Sequence, residues 1–133
     1  MKLTELIAPS FYKVHHDIKQ GKHTHYWFKG GRGSTKSSFI GTEIPLNMMK
    51  DAEKGIYSNA VIFRRVKDVL RSSVFEQILW SIEKLGVTSK WKVSYSPLKL
   101  TYTPTGQEIL FRGADNPKKV KSIKVSKGYI KYI

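Results

Sequence analysis

Eight consecutive residues near the start of the chain could do chemistry on phosphate: Gly30, Gly31, Arg32, Gly33, Ser34, Thr35, Lys36 and Ser37. The glycines let a backbone curl so that several N–H groups point inward without Cβ clashes. A lysine directly followed by a hydroxyl residue then supplies an ammonium for β/γ oxygens and a hydroxyl for Mg²⁺. In that reading Lys36 holds the phosphates of a nucleoside triphosphate, Ser37 is the magnesium ligand, and Ser38 extends the binding run. The general pattern is G-x-x-x-x-G-K-[ST], and Thr35 stands at its second fixed glycine. A positive φ there would cost a β-branched residue about 1–3 kcal/mol, whereas a helical conformation would accept it. The bland alternative is a glycine-rich turn that caps a helix. The register of lysine and hydroxyl argues against it.

A loop of this kind needs a strand in front and a helix behind. His25-Tyr26-Trp27-Phe28 is a short aromatic run leading into the glycines and reads as the strand. After Lys36 the positions Phe39, Ile40, Ile44 and Met48 suit a helix that Pro45 kinks or breaks. Upstream, Ser10 reads as the cap of a helix over 11–20 that Gly21 ends. Residues 51–58 read as a loop around Gly55, and the continuous apolar run 59–64 as a strand covered on both faces. Val69, Val74, Ile78, Leu79, Ile82 and Leu85 mark an amphipathic helix that stops at Gly86. Three short strands follow, over 91–95, 98–102 and 108–111, joined by turns at Ser96-Pro97 and Pro104-Thr105-Gly106. After a basic stretch over 112–127, residues 128–133 read as one more strand. Strands alternating with helices predict an α/β domain whose mainly parallel sheet is flanked by helices, with an antiparallel insertion at one edge.

Composition narrows the partners. The 133 residues suit one domain, divided into a leading helical region over 1–25 and a phosphate-loop core over 26–133. Twenty-four Lys and Arg against ten Asp and Glu leave a formal charge of +14. Such a surplus favours a polyanion such as nucleic acid, although membrane surfaces and acidic proteins are polyanionic too. A solvated, lysine-rich surface is the bland reading. With no cysteine there is neither a disulfide framework nor a thiolate zinc site. The apolar stretches are too short for a membrane span or a secretory signal.

Other residues are weaker candidates. His15-His16 and His23-x-His25 lack metal-ligand company and read as surface histidines. Trp80 and Trp91 read as core. Asp68, Glu76 and Glu83 read as solvated helix pairs with neighbouring Lys67, Arg71 and Lys84. Lys118, Lys119 and Lys121 open a basic stretch that either contacts DNA phosphates or guards an exposed edge. Arg64 and Arg65 follow a buried-type strand, where α/β sheets bind ligands; they either meet nucleotide or DNA, or form surface ion pairs.

Three blocks together resemble the large subunit of tailed-phage terminases, in the branch from phages and prophages of Gram-positive bacteria. They are residues 29–38 around the phosphate loop, Phe63-Arg64-Arg65 with Leu70-Arg71-Ser72-Ser73-Val74-Phe75, and residues 111–122. The resemblance implies an additional-strand (ASCE-type) P-loop ATPase that uses ATP and Mg²⁺ to drive double-stranded DNA into a procapsid. It implies Lys36 on the β/γ-phosphates, Ser37 on magnesium and Arg32 near the γ-phosphate; a loop arginine paired with a carboxylate is the alternative for Arg32. The implied partners are DNA, the portal protein, the terminase small subunit and further copies in a ring, in the host bacterial cytoplasm, with no membrane. By the same resemblance residues 129–133 look like the Walker B strand without its acidic pair, and a nuclease domain is expected to be absent. On that expectation this chain binds nucleotide and turns it over weakly or not at all. Two other classes remain open: a non-hydrolysing nucleotide- or nucleic-acid-binding prophage remnant, and a P-loop kinase, for which no acceptor pocket is marked.

Overall fold

The computed structural model describes residues 3–29, 36–64, 74–114 and 123–133. Helices α1 (Leu3–Leu6), α2 (Tyr12–Gln20), α3 (Lys36–Glu53) and α4 (Glu76–Lys84) accompany strands β1 (Ser58–Arg64), β2 (Trp91–Tyr95), β3 (Leu98–Tyr102), β4 (Gln107–Gly113) and β5 (Tyr129–Tyr132). The strands form one sheet in the order β2-β3-β4-β1-β5. β1 runs parallel to β4 and to β5, while β2, β3 and β4 pair antiparallel. The described sheet is therefore evenly mixed rather than mainly parallel. The antiparallel pair β2–β3 forms one edge, where a short turn can return the chain only in the antiparallel sense.

Burial explains why these segments become these elements. β1 and β4 are buried along most of their length, as continuous apolar strands covered on both faces must be. α3 and α4 pack together over one sheet face, enclosing Met48, Phe75, Ile78, Ile82, Leu100, Ile109 and Phe111. Gly41 on α3 permits that approach: a Cβ there would stand 3.2 Å from Gln77 Cγ on α4. Thr42 and Ser81 join the two helices through hydroxyls 2.9 Å apart. A second cluster, built on Leu6, Ile7 and Phe39, holds α1 and α2 against the front of α3.

Four local expectations are corrected. Of the kink or break expected at Pro45, the break is overturned: the residue lies buried inside α3 and does not end it, because the flanking core contacts of Phe39 and Met48 outweigh a cost of about 3 kcal/mol. Ser10 does not cap α2; the chain enters through a 3₁₀ turn over Pro9–Phe11, and no side chain caps the helix. Gly21 does end α2, at φ 67°. Residues 25–28 join no ladder among the described residues; Phe28 packs against Phe11 and Phe39 instead, while Trp27 is left exposed. Trp80 is 39% exposed whereas Trp91 is buried, since residues 78 and 82 already fill the core-facing stripe of α4.

Polar groups knit the amino ends of the central strands. Gln107 Nε2 donates to the carbonyls of Ser58 at 2.7 Å and Met48 at 3.2 Å. The Asn59 amide donates to the carbonyls of Lys127 and Tyr129, and its Oδ1 accepts from the Glu108 N–H at 2.7 Å. One buried side chain thus bridges β1 to both of its neighbours. Among the described residues one buried polar side-chain atom lacks a partner, Trp91 Nε1.

Candidate functional site

α3 places Lys36, Ser37 and Ser38 in its first described turn. The 18 residues of α3 extend about 27 Å at 1.5 Å each. Its last turn lies against the start of β1, because Ser58 Oγ donates to Asp51 at 2.8 Å. The helix therefore ends beside the amino end of β1. Arg64 ends β1 in register with Gly113 of β4, and the Ala114 N–H donates to the Arg64 carbonyl at 2.7 Å. Arg64 thus stands at the carboxyl end of β1, the end of a sheet at which α/β proteins bind ligands.

The side chains of the first described turn of α3 are graded. Ser37 is exposed and Lys36 half-buried. Ser38 directs its carbonyl into the helix, where Thr42 Oγ1 donates to it at 2.8 Å. Phe39 is buried and stacks on Phe11 at 4.7 Å, with Phe28 edge-on at 5.8 Å. Those rings fasten α2 and the segment before the loop onto the turn that carries Lys36. Residues 30–35, including Gly30, Gly31, Arg32, Gly33, Ser34 and Thr35, lie outside the described residues, as do Arg65, Asp68, Lys118, Lys119 and Lys121. Glu76 and Glu83 are exposed on α4.

Three polar groupings escaped the sequence reading. His15 is buried, not a surface residue; its Nδ1 donates to Glu43 at 2.8 Å. Its signal was available, because Tyr12, His15 and Ile18 follow an i, i+3, i+6 stripe on the packed face. Asp51, buried at the end of α3, accepts from Tyr132 at 2.6 Å, Ser58 at 2.8 Å and Lys131 at 3.1 Å. Burial pushes its carboxyl up, yet the hydrogen bonds from Tyr132, Ser58 and Lys131 outweigh that and leave it below its ordinary value. Lastly, Asp17 accepts from His23 and Tyr26, each at 2.7 Å, beside an open cleft of about 350 Å³ lined also by Lys13, His25 and Trp27. The His23 bond, ahead of the Tyr26 bond, lowers the Asp17 carboxyl. No group of three or more metal-ligating side chains gathers among the described residues, and no helix there is long and apolar enough to cross a membrane.

Known proteins resemble this chain over the same region. A family model described as phage terminase large subunit matches residues 22–133. The large terminase subunit of Bacillus phage SPP1 is 44% identical over 127 residues, covering 96% of this chain and 29% of that protein. The PBSX phage terminase large subunit of Bacillus subtilis (strain 168) is 36% identical over 100 residues, 75% of this chain and 22% of that one. The chain thus spans less than a third of the length of either relative. The family model covers most of the sequence, and on that match the chain belongs to the phage terminase large subunit family.

Proposed function

We propose that this chain is the nucleotide-binding front part of a P-loop (ASCE-type) ATPase domain from a terminase motor that packages double-stranded DNA. The observation that supports the proposal is that Lys36 and Ser37, which follow the glycine run, stand in the first described turn of an 18-residue helix whose last turn lies against the start of β1. ATP fits the front of that helix: residues 30–35 would wrap the phosphates, Lys36 would pair with β/γ oxygens, and Ser38 would support the turn. Magnesium needs few protein ligands beside phosphate oxygens and water, and the exposed Ser37 hydroxyl suits it. When bound, the ion withdraws negative charge from the transferring group. Arg32 is assigned to the γ-phosphate, where a guanidinium favours developing charge. Lys118, Lys119 and Lys121 are assigned to DNA phosphates. Portal protein, small subunit and ring copies would complete the motor in the host cytoplasm.

The deciding experiment is Mg-ATP binding to the chain and to Lys36→Ala, by calorimetry or a fluorescent analogue. The variant should bind at least a hundredfold more weakly while melting at the same temperature. Binding indifferent to that substitution would sink the assignment. Nucleotide binding with weak or no turnover, on DNA or off it, is the outcome expected of this chain; robust turnover would overturn that expectation.

A further inference from the structure

The return of the chain from α2 toward the glycine run is tied down at one oxygen atom. Gly21 ends α2 at φ 67°, and the residues after it come back to the last turns of that helix. Tyr26 Oη and His23 Nδ1 each donate to Asp17 Oδ2 at 2.7 Å. The His23 side chain is 67% exposed, where water competes for its bond, whereas Tyr26 is half-buried. Tyr26 in turn lies over Phe28, with ring centres 6.4 Å apart and planes 13° from parallel. Trp27, between them, is 95% exposed. Phe28 meets Phe11 edge-on at 6.2 Å and Phe39 of α3 at 5.8 Å. Residues 30–35 therefore run between two anchored rings, Phe28 before them and Phe39 after them. Asp17 and Tyr26 are the polar end of a chain of contacts that reaches α3 three residues beyond Lys36.

We infer that Asp17 and Tyr26 form a clasp that presets the entry to the phosphate loop, which makes Tyr26 a positioning residue for Mg-nucleotide binding. The inference deepens the nucleotide reading of this chain and rests on it. Its physical basis is conformational. A loop held at both ends has fewer arrangements to lose when it closes on a ligand. Where the competent arrangement is populated only in part, apparent affinity falls by that fraction. The Asp17 carboxylate holds Tyr26 through a charge-assisted hydrogen bond, and Tyr26 holds Phe28 through its ring. Neither side chain has to touch the nucleotide for this to work. The clasp is polar and the anchors are apolar, so the O–H can be removed while the ring contacts stay.

The test is equilibrium and stopped-flow binding of a fluorescent ATP analogue, with magnesium, to the whole chain and to Tyr26→Phe, Asp17→Ala and the double variant. Tyr26→Phe keeps the ring and loses only the O–H. It should bind about five- to tenfold more weakly, with the loss in the association rate and dissociation unchanged, because the bound loop is the same in both. Its melting temperature should stay within about 2 °C of the native one. The double variant should bind as Asp17→Ala does, since the bond is already gone. A native association rate in Tyr26→Phe, a loss confined to dissociation, or additive losses in the double variant would each overturn the inference. Lys36→Ala keeps the two readings apart. Should it bind as well as the native chain, the nucleotide reading fails; should it lose binding while Tyr26→Phe keeps it, the clasp alone fails.

Discussion

Glu43, seven residues along α3 from Lys36, accepts a hydrogen bond from His15 Nδ1 at 2.8 Å inside the protein. Seven residues are close to two helical turns, so the contact lies on the same face as Lys36. Asn47 donates to the other carboxylate oxygen at 3.2 Å. The pair orients α2 against α3.

His15→Ala would leave a buried carboxylate with Asn47 as its remaining side-chain donor. It should cost about 3 kcal/mol in urea unfolding. The double variant His15→Leu/Glu43→Leu should recover to within about 1 kcal/mol of the native chain, because paired removal orphans no charge. A double variant as weak as the single one would show that the pair does more than satisfy itself.

Acid should unfold the protein through β5 and its neighbours. Asp51 and Glu108 both lie below their ordinary values of 3.8 and 4.5. For Glu108, burial raises the carboxyl, but the Ser126 N–H and the Lys99 ammonium 2.9 Å away outweigh it. A depressed folded value means the stabilisation is complete above the ordinary value and is lost as pH falls through the folded one. Urea midpoints should therefore hold steady from about pH 7 to 5 and fall below about pH 4. Asp51→Asn should flatten that acid limb and cost about 2 kcal/mol at neutral pH. An unchanged acid limb in this variant would remove Asp51 from the account. At the alkaline end Tyr132 is held neutral, by burial first and then by Asp51. Its contribution is present below pH 10 and is lost as pH rises through the raised folded value.

Gly128 has φ +79°, and a Cβ there would stand 1.9 Å from the Tyr57 carbonyl oxygen. Backbone cannot yield as a flexible side chain can. Gly128→Ala should cost about 2–4 kcal/mol and release β5, read as faster amide exchange at Tyr129. Gly21 has a similar φ of +67° but open space around its Cβ position, so Gly21→Ala should cost about 1 kcal/mol. Equal costs at the two glycines would mean that φ alone matters.

Ser37→Ala separates the metal from the phosphates. Nucleotide affinity without magnesium should stay within about twofold, while the gain from adding magnesium should shrink at least tenfold. Thermal stability should move by less than about 0.5 kcal/mol, since Ser37 is exposed. Full magnesium enhancement in Ser37→Ala would relocate the ion.

Local chemistry in this chain was legible from residue order. The αL stop at Gly21 and the strands over 91–95 and 98–102 are written over a few neighbouring residues, where sterics and periodicity act directly. Family membership was legible too, because it rests on the order of three blocks. Tertiary structure decided the rest. Pro45 stays helical, Trp80 faces water and residues 25–28 form no ladder, since each outcome depends on which neighbours arrive from elsewhere. The same holds for the buried polar groups. His15 meets Glu43 across 28 positions, and Asp51 meets Tyr132 across 81. A charged or polar residue is buried only where a distant partner compensates its lost water. Residue order by itself determined the local turns and strands; packing determined which helices and strands come together, because only the assembled fold brings their partners within reach.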